Sequence, residues 1–305
     1  MKLRLSLKNS ARAALNSLIL PKIRLLTALL SLAFLTNCTI PSEPTYSLGD
    51  LSSSLVKMAQ EEYKLPLVST LVGQTLWIYL PLEEELFIDS DKPQEYTQRF
   101  DFKSAQGNLK YDTLAFGYEI RETPETKESQ NKKFNPQAAE KINKVLRCVR
   151  RLIFSLKRYR YEPEFFVTVV TDTKNGIELI DVTYVDDLKK VLYEMISWVE
   201  YQHRNIEDIK ISPEAVGDKE GKHLKLYDIE FKDFFIEQIK QRLRSKFSRG
   251  EVEKGADIDK EVLKSIKNVL EIYNFNDFSL LELKNLVTDK TVSFSRAAVL
   301  EKNTK

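Results

Sequence analysis

Thr75 to Leu82 (TLWIYLPL) is the segment that most narrows the folds open to this chain. In an extended strand successive side chains point to opposite faces, so Leu76, Ile78 and Leu80 share one side and Trp77 and Tyr79 the other. Both sides are apolar, and neither can be left in water. The pattern predicts a central strand. Its partner is Leu67 to Val72, joined to it through Gly73-Gln74. A helix precedes the pair, with Leu51, Leu55, Met58 and Ala59 at three- and four-residue steps, and Pro66 ends it.

The same order of elements recurs downstream. Asn135 to Arg160 predicts the strongest helix: Asn135 suits the N-cap, Pro136 the first helical position, and Ile142, Val145, Val149, Leu152 and Ile153 form one apolar stripe. Strands at Phe165 to Thr171 and Ile177 to Tyr184 follow, around the turn signal Asn175-Gly176. Helix–strand–strand therefore occurs twice, which implies an α+β fold: an antiparallel sheet with helices on one face. Residues 47–200 read as this α+β domain. Residues 83–135 read as an insertion, with an acidic opening, a hairpin (96–103 and 110–121, turning near Gly107) and a polar linker at 122–133. Asp186 to Trp198 predicts a further helix. Residues 201–305 read as a mostly helical C-terminal region. It holds a stretch compatible with a strand at 223–229, a helix through Phe247, a helix capped by Asp257 and a short helix at 279–287.

Charge is unevenly placed. The chain has 47 Lys and Arg against 45 Asp and Glu, a formal +2. Residues 1–37 hold six of those bases (Lys2, Arg4, Lys8, Arg12, Lys22, Arg24) and no acid, so the rest carries about −4. A nucleic-acid partner needs a concentrated basic footprint on the folded part, and the balance argues against one. Two cysteines, Cys38 and Cys148, and two histidines, His203 and His223, make a poor zinc set. No cofactor motif is present, and no metal or cofactor is expected. There is no G-x-S-x-G elbow and neither histidine stands in a triad context, so the reading leans towards a non-enzymatic protein.

The bases at the start lead into Leu25 to Leu35 (LLTALLSLAFL), an uncharged apolar run of signal-peptide length, and then into Leu35-Thr36-Asn37-Cys38. This segment resembles the lipobox of bacterial lipoprotein precursors. The resemblance implies a signal peptide over 1–37, cleavage before Cys38 and lipid attachment at Cys38. Asn37 stands where that family usually has Gly, Ala or Ser. Residues 38–46 would then be a tether. By the same resemblance Thr39, where an Asp would favour inner-membrane retention, implies the periplasmic face of the outer membrane in a host with two membranes. Leu25 to Ser42 is also 18 residues without a charge, just long enough for an uncleaved membrane anchor.

Two features point to ligands. Thr171-Asp172 with Asn175-Gly176 resembles the T-D-x-x-G loop of the outer-membrane-protein-A-like peptidoglycan-binding domain, which would make Asp172 and Asn175 ligand-binding. Val170 stands where that family has His, and a turn between strands commonly carries Asp, Asn and Gly anyway. Lys144, Arg147, Arg151 and Arg158 form a basic stripe on the long helix, so Arg147 and Arg151 could meet an anionic partner, or simply face solvent. The acidic run Glu83, Glu84, Glu85, Asp89 and Asp91 lacks the spacing of a calcium loop. Lys240, Arg242, Arg244, Lys246 and Arg249 sit where cations complement a helix C-terminus. The sequence thus predicts a lipid-anchored cell-envelope protein of scaffold or binding type. A peptidoglycan-associating lipoprotein and an envelope hydrolase of unrecognised type are the alternatives.

Overall fold

The structure, a computed structural model, describes residues 50–155, 162–248 and 251–301. The chain divides into two compact units, Met1–Thr45 and Tyr46–Lys305, and every described residue belongs to the second. Cys38, Arg158 and Arg249 lie outside the described residues.

The fold is α+β, with two sheets. The first has the order β1-β2-β5-β6-β7: β1 Val68–Val72, β2 Thr75–Leu82, β5 Phe165–Asp172, β6 Ile177–Tyr184 and β7 Ile206–Ile211. β2 and β5 are buried along their whole length, as their two-sided apolar sequences require. The hairpins β1–β2 and β5–β6 are antiparallel, but β2 and β5 are parallel. Parallel neighbours need a crossover, and α2 (Pro136–Ser155) supplies it on the return from the inserted hairpin. Asn135 caps α2 as predicted, its Oδ1 accepting from Gln137 N at 3.0 Å while its Nδ2 donates to Glu85 O.

One face of this sheet packs on α1 (Leu51–Tyr63) and α2, through Leu55, Met58, Val145, Val149 and Leu152. Cys148 is buried in the same layer, where desolvation raises its thiol pKa and keeps it inert. The other face carries Trp77, Tyr79, Phe165, Val167 and Val169. It is covered by Ile229 and by Phe234 of α5 (Phe231–Ser248). The stretch 223–229, compatible with a strand in sequence, has no ladder partner. It crosses the end of β2 as a strap: Trp77 Nε1 donates to Tyr227 O at 2.8 Å, and Asp228 Oδ1 accepts from Gln74 N and Thr75 Oγ1. Gly73 makes this approach possible. Its φ is +56°, and a Cβ there would lie 2.0 Å from Asp228.

The second sheet has the order β3-β4-β8-β9 and differs most from expectation. β3 (Phe87–Lys110) and β4 (Thr113–Phe134) form one long hairpin that absorbs the stretch 122–133, expected as a linker. Its turn is Tyr111-Asp112, both with positive φ, and not Gly107. Gly107 lies opposite Phe116, whose ring occupies the space a side chain would need. The stretch 279–287, expected as a helix, is β8 (Leu280–Asn285). It is parallel to β4 and antiparallel to β9 (Lys290–Ser295). Leu281, Leu283 and Asn285 alternate inward, so period two prevails over period 3.6 in a run too short to separate them. α5 and α6 (Ile258–Tyr273) fill this layer through Phe235, Ile239, Leu243, Val262, Ile266 and Val269. Asp257 caps α6 as predicted.

Between β6 and β7 the expected single helix is two: α3 (Val185–Leu192) and α4 (Trp198–Gln202), separated at Glu194, whose φ is +58°. The C-terminal region is therefore not separate from the α+β domain, since β7 joins the first sheet and β8 joins the inserted hairpin. α7 (Arg296–Leu300) closes the described chain. No helix among the described residues is long and apolar enough to cross a membrane.

Candidate functional site

A cluster of buried charged groups lies on the Trp77 face of the first sheet. β6 places Glu178 there by alternation, between Ile177 and Leu179, which face α1 and α2. The loop after β7 brings His223 over it. His223 Nε2 lies 2.7 Å from Glu178 Oε1, and Nδ1 lies 2.6 Å from Asp218 Oδ2. The Tyr79 ring meets the imidazole edge-on at 5.8 Å. Asp218 organises its own loop as well, accepting from the backbone N–H of Glu220, Gly221 and His223. Lys210 Nζ stands 3.1 Å from Glu178 Oε2.

Glu178 is fully buried and the His223 side chain nearly so. Burial by itself would lower the His223 pKa, but hydrogen bonds to Asp218 and Glu178 outweigh it and raise the pKa. Burial would raise Glu178 and Asp218. Bonds from His223, then Lys210 and Ser212 for the one, and from His223 and the loop N–H groups for the other, hold both below the ordinary carboxylate range. The three groups form an imidazole held between two carboxylates, an arrangement that favours its protonated form. With both ring nitrogens engaged, His223 clamps the 213–230 loop to the sheet.

A cleft of about 470 Å³ opens beside the clamp. Its floor is Val167, Val169 and Val182; Trp77 and Leu224 stand beside them, and Lys210, Lys225 and Glu214 also line it. An apolar floor with a few convergent polar groups is the usual chemistry of a small-ligand site.

Of the residues expected to bind from sequence, Asp172 and Asn175 meet in one turn, while Arg147 and Arg151 lie on α2. Asp172 is fully buried, and its carboxylate closes its own turn: Oδ1 accepts from Lys174 N and Asn175 N at 3.0 Å each, and Oδ2 accepts from Asn175 Nδ2 at 2.8 Å. Arg151 is paired with Glu62 of α1, Lys144 with Glu140, and Arg147 is exposed on α2. The acidic run is likewise matched: Glu83 with Lys219, Glu84 with Lys141, Asp89 with Lys132 and Asp91 with Lys133. Among the described residues no group of three or more His, Cys, Asp or Glu could hold a metal ion.

Sequence reasoning missed the His223 clamp. The local part was visible, since Asp218, Gly221 and His223 fall within one six-residue loop. Glu178 is 45 residues away, and only the β6 register brings it in.

A second polar cluster lies on the opposite face of β6. Asp181 accepts from Thr183 Oγ1 at 3.2 Å through Oδ2, while its Oδ1 is sealed from solvent without a hydrogen-bond partner. Burial, and then the charge of Glu207 directly across on β7, raise its pKa to about 7. Compared with known protein families, with curated proteins and with solved structures, the chain matches none.

Proposed function

We propose that this chain is a lipid-anchored cell-envelope protein of binding or scaffold type, attached through Cys38. The observation that carries the proposal is the order of signals along the chain: six bases, an eleven-residue apolar run, Cys38, and twelve residues later the first described residue, Asp50. A short polar stretch between lipid and domain is what such a tether needs. Thr39 favours the outer membrane's periplasmic face in a host with two membranes. The cleft beside the His223 clamp is where a ligand of the anchored domain would sit, because it joins an apolar floor to fixed charges.

Asp172 favours a structural role over a grip on peptidoglycan. To bind a ligand, its carboxylate would have to leave three bonds within its own turn and emerge from full burial. The test of the anchor is metabolic labelling with an alkyne fatty acid in a bacterium that processes lipoproteins. The wild-type chain should take up label and Cys38→Ser should not; equal labelling of both contradicts the proposal.

A further inference from the structure

β7 ends the first sheet, and among the described residues no strand pairs with its outer side. Each residue from Glu207 to Ile211 is exposed, including Ile209 (55%) and Ile211 (80%) on the face shared with Leu179 and Ile177. An edge strand offers a row of backbone N–H and C=O groups to any strand that can lie beside it, and exposed isoleucines strengthen the invitation. Charges commonly blunt such edges, and here Glu207, Asp208 and Lys210 do so selectively.

The selection follows from symmetry. Two identical strands that pair antiparallel about a two-fold axis normal to the sheet place one residue opposite its own copy and keep like faces together. Centring that axis on Glu207, Asp208 or Lys210 sets two like charges directly opposite, which is destabilising. Centring it on the terminal Ile206 or Ile211 leaves less than half of the strand paired. Centring it on Ile209 packs isoleucine on isoleucine and sets Asp208 opposite Lys210 twice, with Glu207 opposite Ile211. One register of the strand is self-complementary.

We propose that β7 is a self-association edge, and that its occupant is a second copy of this chain paired antiparallel through Ile209. The ten-stranded sheet so formed would continue the Ile177–Leu179–Ile209 face from one protomer into its partner. Asp208 is held on its own chain by a long ion pair to Arg244, 3.9 Å with both more than half exposed, and Lys210, 45% exposed, would bridge its own Glu178 and the partner's Asp208. The contact does not depend on the lipid at Cys38, and its failure would leave the anchor proposal untouched.

The test uses the full chain in a non-ionic detergent. Sedimentation should show a monomer–dimer equilibrium, and Asp208→Lys, which sets lysine opposite Lys210 on both strands, should weaken it about tenfold or more. Mild oxidation adds a geometric readout. Ile209→Cys lies opposite its own copy and should form a covalent dimer. Ile211→Cys is the more exposed of the two but lies opposite Glu207, and should cross-link far more slowly. A wild-type chain that stays monomeric overturns the proposal, as does an Ile211→Cys chain that cross-links as fast as Ile209→Cys. A dimer indifferent to Asp208→Lys overturns it too.

Discussion

At the scale of single residues, the His223 clamp holds the loop over the sheet through charge. Replacing the imidazole leaves Glu178 buried without its main partner. His223→Ala is expected to cost about 3–5 kcal/mol at neutral pH in a urea titration. The pH dependence has a definite sign. His223 binds its proton more tightly folded than unfolded, so its contribution is complete below the ordinary imidazole value and fades as pH rises through the raised folded value. Glu178 and Asp218 bind protons less tightly when folded, so theirs is complete above the ordinary carboxylate range and fades as pH falls through their depressed values. The gap between wild type and His223→Ala should therefore be widest at weakly acid pH and narrow towards both extremes. A gap independent of pH would refute the charged clamp. Asp181 has the opposite sign. Its raised pKa means the folded state loses stability as pH climbs from the ordinary aspartate value to about 7. Asp181→Asn should thus gain about 1–3 kcal/mol over wild type at pH 8 and little at pH 4. No gain at pH 8 would show that Asp181 Oδ1 finds a partner after all.

At the scale of elements, β2, β5, α1, α2 and α6 could be read from sequence because each carries an unmistakable period or cap. The long hairpin could not be read beyond Arg121. Its outer stretch buries neither face, so Glu122 to Lys133 shows no alternation. It is paired through the backbone ladder and cross-strand charges such as Lys132 with Asp89, with Phe87 stacking edge-on against Phe134 at its base. Exposed strands of this kind look like linkers in sequence. Gly107 misled for a related reason: glycine signals a turn, but here it makes room for the Phe116 ring within a ladder. A Cβ at that position would meet Phe116 at 2.4 Å and Ile236 at 2.9 Å. Gly107→Val should therefore cost about 1–3 kcal/mol in thermal or urea unfolding, despite valine's preference for strands. Unchanged stability would mean that the Phe116 ring has somewhere else to go.

At the scale of the whole molecule, the two sheets behave as parts of one body. α5 contributes Phe234 to the first sheet's layer and Phe235, Ile239 and Leu243 to the second's. Tyr273 of α6 donates to Asp187 of α3 at 3.0 Å, and Arg204 Nη1 meets the same buried carboxylate at 2.8 Å. Asp187 and Tyr273 are 86 residues apart, a separation that periodicity and capping arguments do not reach. The N-terminal address lies at the other extreme. It is written in consecutive residues, so sequence alone carries the argument for it. Its strength rests on the apolar run and on Cys38, and Asn37 is where it departs from the family pattern.

The most direct measurement is the mass of the N-terminal tryptic peptide of the chain purified from membranes. A processed lipoprotein would begin at Cys38 and end at Lys57, with the cysteine carrying a thioether-linked diacylglycerol. That modified peptide is the predicted result. An unmodified Cys38 within a longer peptide from an intact N-terminus would contradict the account.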